Sequence, residues 1–136
     1  MVKISNRLMT AAALVTQGYT LADVGTDHGY IPIYLLQQKK IPAAIAMDIN
    51  EGPLERAKEH IALYGLQAYI QTRLSDGVAA LKPGEVEAVL IAGMGGGLVM
   101  HILKDGEKVC QSEKELILQP QSEIERVREF LREEGY

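Results

Sequence analysis

Leu21-Ala22-Asp23-Val24-Gly25-Thr26-Asp27-His28-Gly29-Tyr30 is the stretch on which the fold of this chain turns. It reads as the end of a buried strand, a tight glycine-bearing turn and the first turn of a helix. Such a junction places small residues and free backbone N–H groups at a helix N-terminus, where a nucleotide-like ligand can approach the main chain. Further along, a second apolar run, Ala43-Ala44-Ile45-Ala46-Met47, ends in Asp48. An acidic side chain at the tip of the second strand is the group that grips adenosine ribose hydroxyls in folds of this kind.

Working outward, residues 4–17 predict an amphipathic helix, with Ile4, Leu8, Ala11 or Ala12 and Val15 at helical spacing, Ser5 or Asn6 as cap and Gly18 as stop. Arg7 on this helix is a candidate for contact with substrate. The first strand spans 20–24, the helix after the turn 30–38, and the second strand 43–48. Asn50-Glu51-Gly52-Pro53 then opens a helix with Leu54, Ala57 and Ile61 on its inner face. A third strand is expected at 68–71, a brief helix around Val78 and Leu81, and a central strand at 88–92, continuously apolar as a buried parallel strand should be. A helix over 98–104 and a fifth strand at 116–118 follow. Ser122 and Glu125 have capping-box spacing and introduce a last helix with Ile124, Val127 and Leu131 inward. Strands alternating with helices predict an α/β domain with an open, mostly parallel sheet. The sequence reaches Gly135-Tyr136 where another strand is expected, so we read one domain, 1–136, incomplete at its carboxyl end.

Composition narrows the function classes. Of the 136 residues 47% are hydrophobic, enough for one domain with a core. The lone cysteine, Cys110, forbids an intramolecular disulfide and a multi-cysteine metal knuckle, and points to a reducing compartment, with cytoplasm as the expectation. No apolar run approaches the roughly 18–20 residues that cross a bilayer. The net charge of −4, with scattered Lys and Arg, argues against strong binding of nucleic acid by these residues alone. It does not bear on whether a presented base can be modified.

The turn lacks the dinucleotide fingerprint, because Asp27 stands where that motif carries its middle glycine. A carboxylate there opposes a pyrophosphate. A phosphate-free cofactor with a cationic centre fits better, namely S-adenosylmethionine. Asp76, after the third strand, is placed to accept from an adenine amino group, or else to cap the helix after it. Asp23 lies within a strand end, where a carboxylate is costly unless hydrogen-bonded. Its alternatives are a contact with the cofactor's amino group and a tie to its own loop. The run Ala92-Gly93-Met94-Gly95-Gly96-Gly97 costs conformational entropy that close approach of a ligand would offset. His28 stands beside the proposed cofactor; His60, His101 and Cys110 read as surface or packing residues, and no metal site, hydrolase triad or zinc motif is present.

Asp23-Val24-Gly25-Thr26-Asp27-His28-Gly29-Tyr30-Ile31-Pro32, Ala46-Met47-Asp48-Ile49-Asn50, Ile91-Ala92-Gly93-Met94-Gly95-Gly96 and Leu118-Gln119-Pro120 together resemble the bacterial tRNA adenine-22 N1-methyltransferases. Their fold is the Rossmann-like class I methyltransferase domain, and the resemblance spans nearly the whole chain. It implies S-adenosylmethionine as cofactor, S-adenosylhomocysteine as product and tRNA as partner, with tRNA binding depending on a C-terminal region that family members carry beyond these residues. Carried onto this sequence, Asp23, Gly25 and Asp27 would line the methionine side of the cofactor, Asp48 the ribose with Ile49 at the adenine, and Asp76 and Gly77 the adenine amino group. The 93–96 loop occupies the place of the Asp/Asn-Pro-Pro-aromatic motif of general adenine N-methyltransferases. Asp27, His28, Gly93 and Met94 are then the catalytic candidates, and Arg7, Tyr30, Met94 and Gly95 the substrate contacts. Transfer to another RNA or a small molecule, an NAD(P)-dependent oxidoreductase and a noncatalytic RNA-binding module are the rival readings.

Overall fold

The structure is a computed structural model that describes residues 2–136. Its strands are β1 (Leu21–Val24), β2 (Ala44–Asp48), β3 (Ile70–Leu74), β4 (Ala88–Met94) and β5 (Glu115–Pro120). They form one sheet in the order β3-β2-β1-β4-β5, every neighbouring pair parallel. The helices are α1 (Asn6–Ala13), α2 (Tyr30–Gln37), α3 (Glu51–Leu63), α4 (Gly96–Asp105), α5 (Glu107–Ser112) and α6 (Ile124–Glu133). This is the doubly wound, Rossmann-like arrangement that the strand–helix alternation predicts. The chain reverses its direction of travel across the sheet between β1 and β4, so a crevice opens at the carboxyl ends of those strands.

Both faces of the sheet are covered, which is why β1 and β2 are buried along their whole length. Alternate residues divide the core. Leu21, Ala44, Ala46, Ala88 and Leu90 pack under α1, α2 and α3. Ala22, Val24, Ile45, Met47, Val89 and Ile91 pack under α4, α5 and α6. Each wholly buried Leu or Ile side chain, such as Leu90 or Ile91, contributes about 1.5–3 kcal/mol.

Several local expectations are corrected, most of them because a side chain takes a backbone group that local structure would have used. The first helix ends at Ala13 and not at 17: Glu115 of β5 accepts from Thr16 N (2.9 Å) and Thr16 Oγ1 (2.6 Å), drawing the chain away. Lys40 Nζ donates to the Ala13 carbonyl of that helix end at 2.8 Å. The third strand starts at Ile70, after a turn in which Ile70 N bonds Leu66 O. No helix forms around Val78 and Leu81. Ser75 Oγ instead donates to Gly77 O and accepts from Ala80 N, while Arg73 donates to Ala80 O and clamps Glu85. Arg73 and the Lys82 N–H together hold the Glu85 carboxyl down to about 2. Asp76 therefore caps nothing.

The capping box is also absent. Glu123, with φ +52°, is the N-cap of α6, and its side chain makes no cap hydrogen bond. Ser122 Oγ accepts instead from Gly96 N at 3.1 Å, joining the start of α6 to the start of α4. Val127 is buried and Leu131 half-buried, whereas Ile124 is exposed. The short helix α5 carries too few periodic apolar residues to be read from sequence; only Val109 and Cys110 are buried.

The α4–α6 junction sets a strict steric limit. A Cβ on Gly96 would lie 2.4 Å from the Ser122 carbonyl oxygen and 2.9 Å from Glu123 Cβ, whereas one on Gly97 would meet nothing closer than Glu123 Oε2 at 3.5 Å. Gly96→Ala is therefore expected to lower stability by about 1–3 kcal/mol through overpacking. Gly97→Ala should leave it unchanged or slightly raised, since alanine is the better helix former. Urea unfolding of the pair measures the difference.

Candidate functional site

β1 ends with a buried carboxylate. Asp23 sits in register with Ala46 on one side and Leu90 on the other, and is 3% exposed. Desolvation pushes its pKa up to about 7; the Thr26 hydroxyl, donating to Oδ2 at 3.0 Å, pulls the other way, and the charge of Asp48 adds to the rise. The Thr26 N–H also donates to Met47 O at 2.7 Å, which pins the turn across the tip of β2. Between them Gly25 adopts φ +72°, and a Cβ there would stand 2.5 Å from Met94 Cε. The positive φ is the reason for glycine at this position, since the methionine end could swing aside.

The turn continues with positive φ at Asp27 (+31°) and His28 (+51°), conformations that cost a non-glycine residue roughly 1 kcal/mol or more. A short 3-10 turn, Asp27–Gly29, then leads into α2. The Asp27 carboxylate lies 3.4 Å from His28 Nε2 and 3.7 Å from Arg56 on α3. The other ring nitrogen of His28, Nδ1, is buried without a hydrogen-bond partner. The rings of His28, Tyr30 and His60 stack near-parallel, with centroids 5.0–5.4 Å apart.

A cavity of about 260 Å³ opens beside the turn, walled by Leu8, Asp23, Gly25, Thr26, Asp27, Tyr30, Ile31, Ala92, Gly93 and Gln121. It brings together Asp23, Gly25, Asp27, Tyr30 and Gly93 from the sequence-derived set. Asp48 is 8% exposed at the tip of β2, with Oδ1 accepting from Asn50 N at 3.0 Å, and the next residue, Ile49, is exposed. Asp76 and Gly77 line a separate hollow of about 90 Å³ with His101 and Asp105. Gly95 is the N-cap of α4. Arg7 is exposed on α1, one residue before Leu8 of the cavity wall, and its carbonyl accepts from Gln119 Nε2 at 3.2 Å.

Sequence reasoning missed Thr26 as the tie of the turn, Gln121 and Leu8 as wall, and His60 as part of the ring stack. Thr26 stood inside the quoted turn and Gln121 directly after the fifth strand, and their place after a strand end was the available signal. His60 gave none. Cys110 behaves as a packing thiol: burial pushes it up to about 11, far from a reactive thiolate. Larger hollows, of about 410 and 470 Å³, lie elsewhere and do not meet the glycine turn. Among the described residues no group of His, Cys, Asp and Glu is arranged to hold a metal, and no helix is long and apolar enough to cross a membrane.

Residues 4–136 match the family described as a methyltransferase domain. The chain is 41% identical to the tRNA (adenine(22)-N(1))-methyltransferase of Bacillus subtilis (strain 168), over 98% of this chain and 56% of that one. The crystal structure of the B. subtilis m1A22 tRNA methyltransferase TrmK superposes with a TM-score of 0.91, covering 98% of this chain and 57% of the other. The structure of M. capricolum TrmK in complex with S-adenosyl-homocysteine, 34% identical, gives 0.84 and covers 94% of this chain and 57% of that one. The chain thus spans a little over half the length of the relatives it matches. With a glycine turn and acidic residues at the β1–β4 switch point and a family match over nearly its whole length, the chain belongs to the methyltransferase-domain family.

Proposed function

We propose that this domain transfers a methyl group from S-adenosylmethionine to N1 of an adenine in tRNA, adenine 22 by its likeness to the relatives. The observation that carries the cofactor part is the chemistry of the crevice. Its wall presents the carboxylates of Asp23 and Asp27, with Asp48 close enough to raise the Asp23 pKa, and no lysine or arginine. Such a wall repels a pyrophosphate and suits an amino group, a sulfonium and ribose hydroxyls. The names of the relatives support the acceptor.

S-adenosylmethionine, when bound, supplies an electrophilic methyl group on a sulfonium. In this reading Asp23 and Asp27 hold the methionine amino end, Asp48 accepts from the ribose hydroxyls, and Ile49 packs at the adenine. Asp76 and Gly77 extend the adenine end, beyond the cavity proper. Adenine N1 attacks with an in-plane lone pair, so no base need remove a proton beforehand. The protein's task is to hold that nitrogen in line and to exclude water. Methylation makes the acceptor adenine cationic. The Asp27 carboxylate and the Gly93 and Met94 carbonyls are the groups that stabilise that charge, with His28 placed to take a proton from the exocyclic amine. Tyr30 and Met94 offer faces for an adenine turned out of its stack, and Arg7 and Gly95 border its approach. The RNA-binding surface is proposed to depend on the further length that the relatives possess, the chain here carrying net charge −4.

Calorimetric titration with S-adenosylhomocysteine tests the cofactor site. Asp48→Ala is expected to weaken binding about tenfold or more, the worth of charge-assisted hydrogen bonds. Preference of the folded chain for NADH would overturn the reading. Methyl transfer to unmodified tRNA by a chain that carries the relatives' further length, with N1-methyladenine as product, tests the acceptor.

A pH dependence follows from Asp23. Its folded pKa of about 7 exceeds the ordinary carboxyl value of 3.8, so the stability it gives is complete below pH 3.8 and is lost as pH rises through 7. Thermal unfolding of the ligand-free chain should show that fall, and Asp23→Asn should flatten it. Affinity for the amino-bearing ligand should change in the opposite sense, rising with pH through about 7 as the carboxylate ionises, again only with Asp23 present.

A further inference from the structure

One face of α3 meets the strained turn at successive helical positions. Arg56 reaches the Asp27 carboxylate at 3.7 Å. One residue on, Ala57 packs under Gly29, whose added Cβ would lie 3.4 Å from Ala57 Cβ. Four residues beyond Arg56, and so on the same face, His60 Nδ1 stands 2.8 Å from the His28 carbonyl oxygen. A carbonyl only accepts, so the proton of this bond is on His60 Nδ1. The same imidazole stacks on the rings of both His28 and Tyr30 at 5.4 Å.

Two adjacent non-glycine residues with positive φ, Asp27 and His28, persist only where surrounding structure over-determines them. The hydrogen bond from His60 fixes the backbone of His28, and the ring stack fixes the planes of the side chains on either side of Gly29. We propose that His60, which lines no part of the cavity, is a positioning residue: it holds the His28–Tyr30 turn in the geometry from which those side chains address the acceptor base. This rests on the methyltransferase reading above and adds to it a residue from a separate element.

The test compares the wild-type chain with H60N and H60F. Asparagine sets an amide N–H where the imidazole Nδ1–H stands; phenylalanine keeps a ring face without the donor. H60F is expected to speed amide hydrogen exchange over residues 27–30 roughly tenfold, as loss of a hydrogen bond does. In a chain that carries the relatives' further length it should also slow methyl transfer to tRNA by about tenfold or more in kcat, with KM for S-adenosylmethionine little changed, the signature of a misaligned acceptor. H60N, which keeps the donor but not the ring, should restore the exchange rate and recover kcat in part. Wild-type exchange in H60F, or equal impairment in H60N and H60F, overturns the proposal. So does a 15N spectrum of the wild type with the His60 proton on Nε2, a measurement that needs no variant to fold. Absence of S-adenosylhomocysteine binding by the wild type would count against the methyltransferase reading instead, and the exchange and tautomer measurements would still decide the role of His60.

Discussion

Thr26 holds the carboxyl edge of this domain together. Its N–H reaches the Met47 carbonyl at the tip of β2, and its hydroxyl reaches the buried carboxyl of Asp23 in β1. The first bond closes the glycine turn over the neighbouring strand. Among the described residues, the second is the side-chain hydrogen bond that offsets the burial of Asp23. Without it an acid would sit in the middle of a parallel sheet, between Ala46 and Leu90, with no polar partner. The cavity, the Gly25–Met94 contact and the path into α2 all follow from where this residue ties the turn.

The central strands were legible because burial on both faces leaves no choice of residue. Ala43 to Met47 and Ala88 to Ala92 are continuously apolar, and the structure places them in the interior of the sheet. Legibility failed where side-chain bonds compete with local backbone bonds. Residues 76–81 have the apolar spacing of a short helix, but Arg73 and Ser75 take the groups that would build it. Ser122 has the spacing of a cap, but spends its oxygen on Gly96, from a different helix. The glycine run after β4 turned out to serve two purposes. Gly93 borders the cavity, whereas Gly96 is demanded by the backbone of Ser122 pressing on α4.

The candidate site divides along the same line. Gly25, Asp27, Tyr30 and Gly93 were legible because the ends of β1 and β4 lie side by side at the switch point, and the topology alone brings them together. His60 was not, since 32 residues separate it from its hydrogen-bond partner His28 and its own helix carries no motif. Only the packing of α3 on the turn reveals that this half-buried histidine is spent on a strained backbone.

The electrostatics of the edge explain why the turn departs from the dinucleotide pattern. Asp23, Asp27 and Asp48 bring acidic groups to one crevice, with Asp48 already raising the pKa of Asp23. Burial first, and the charge of Asp48 after it, disfavour ionisation of Asp23. Asp27 stands where that pattern carries its middle glycine, and through His28 and Arg56 its carboxylate helps to hold the turn in its strained form. The residue that brings a carboxylate to the wall of the crevice is thus also one of those that set its shape.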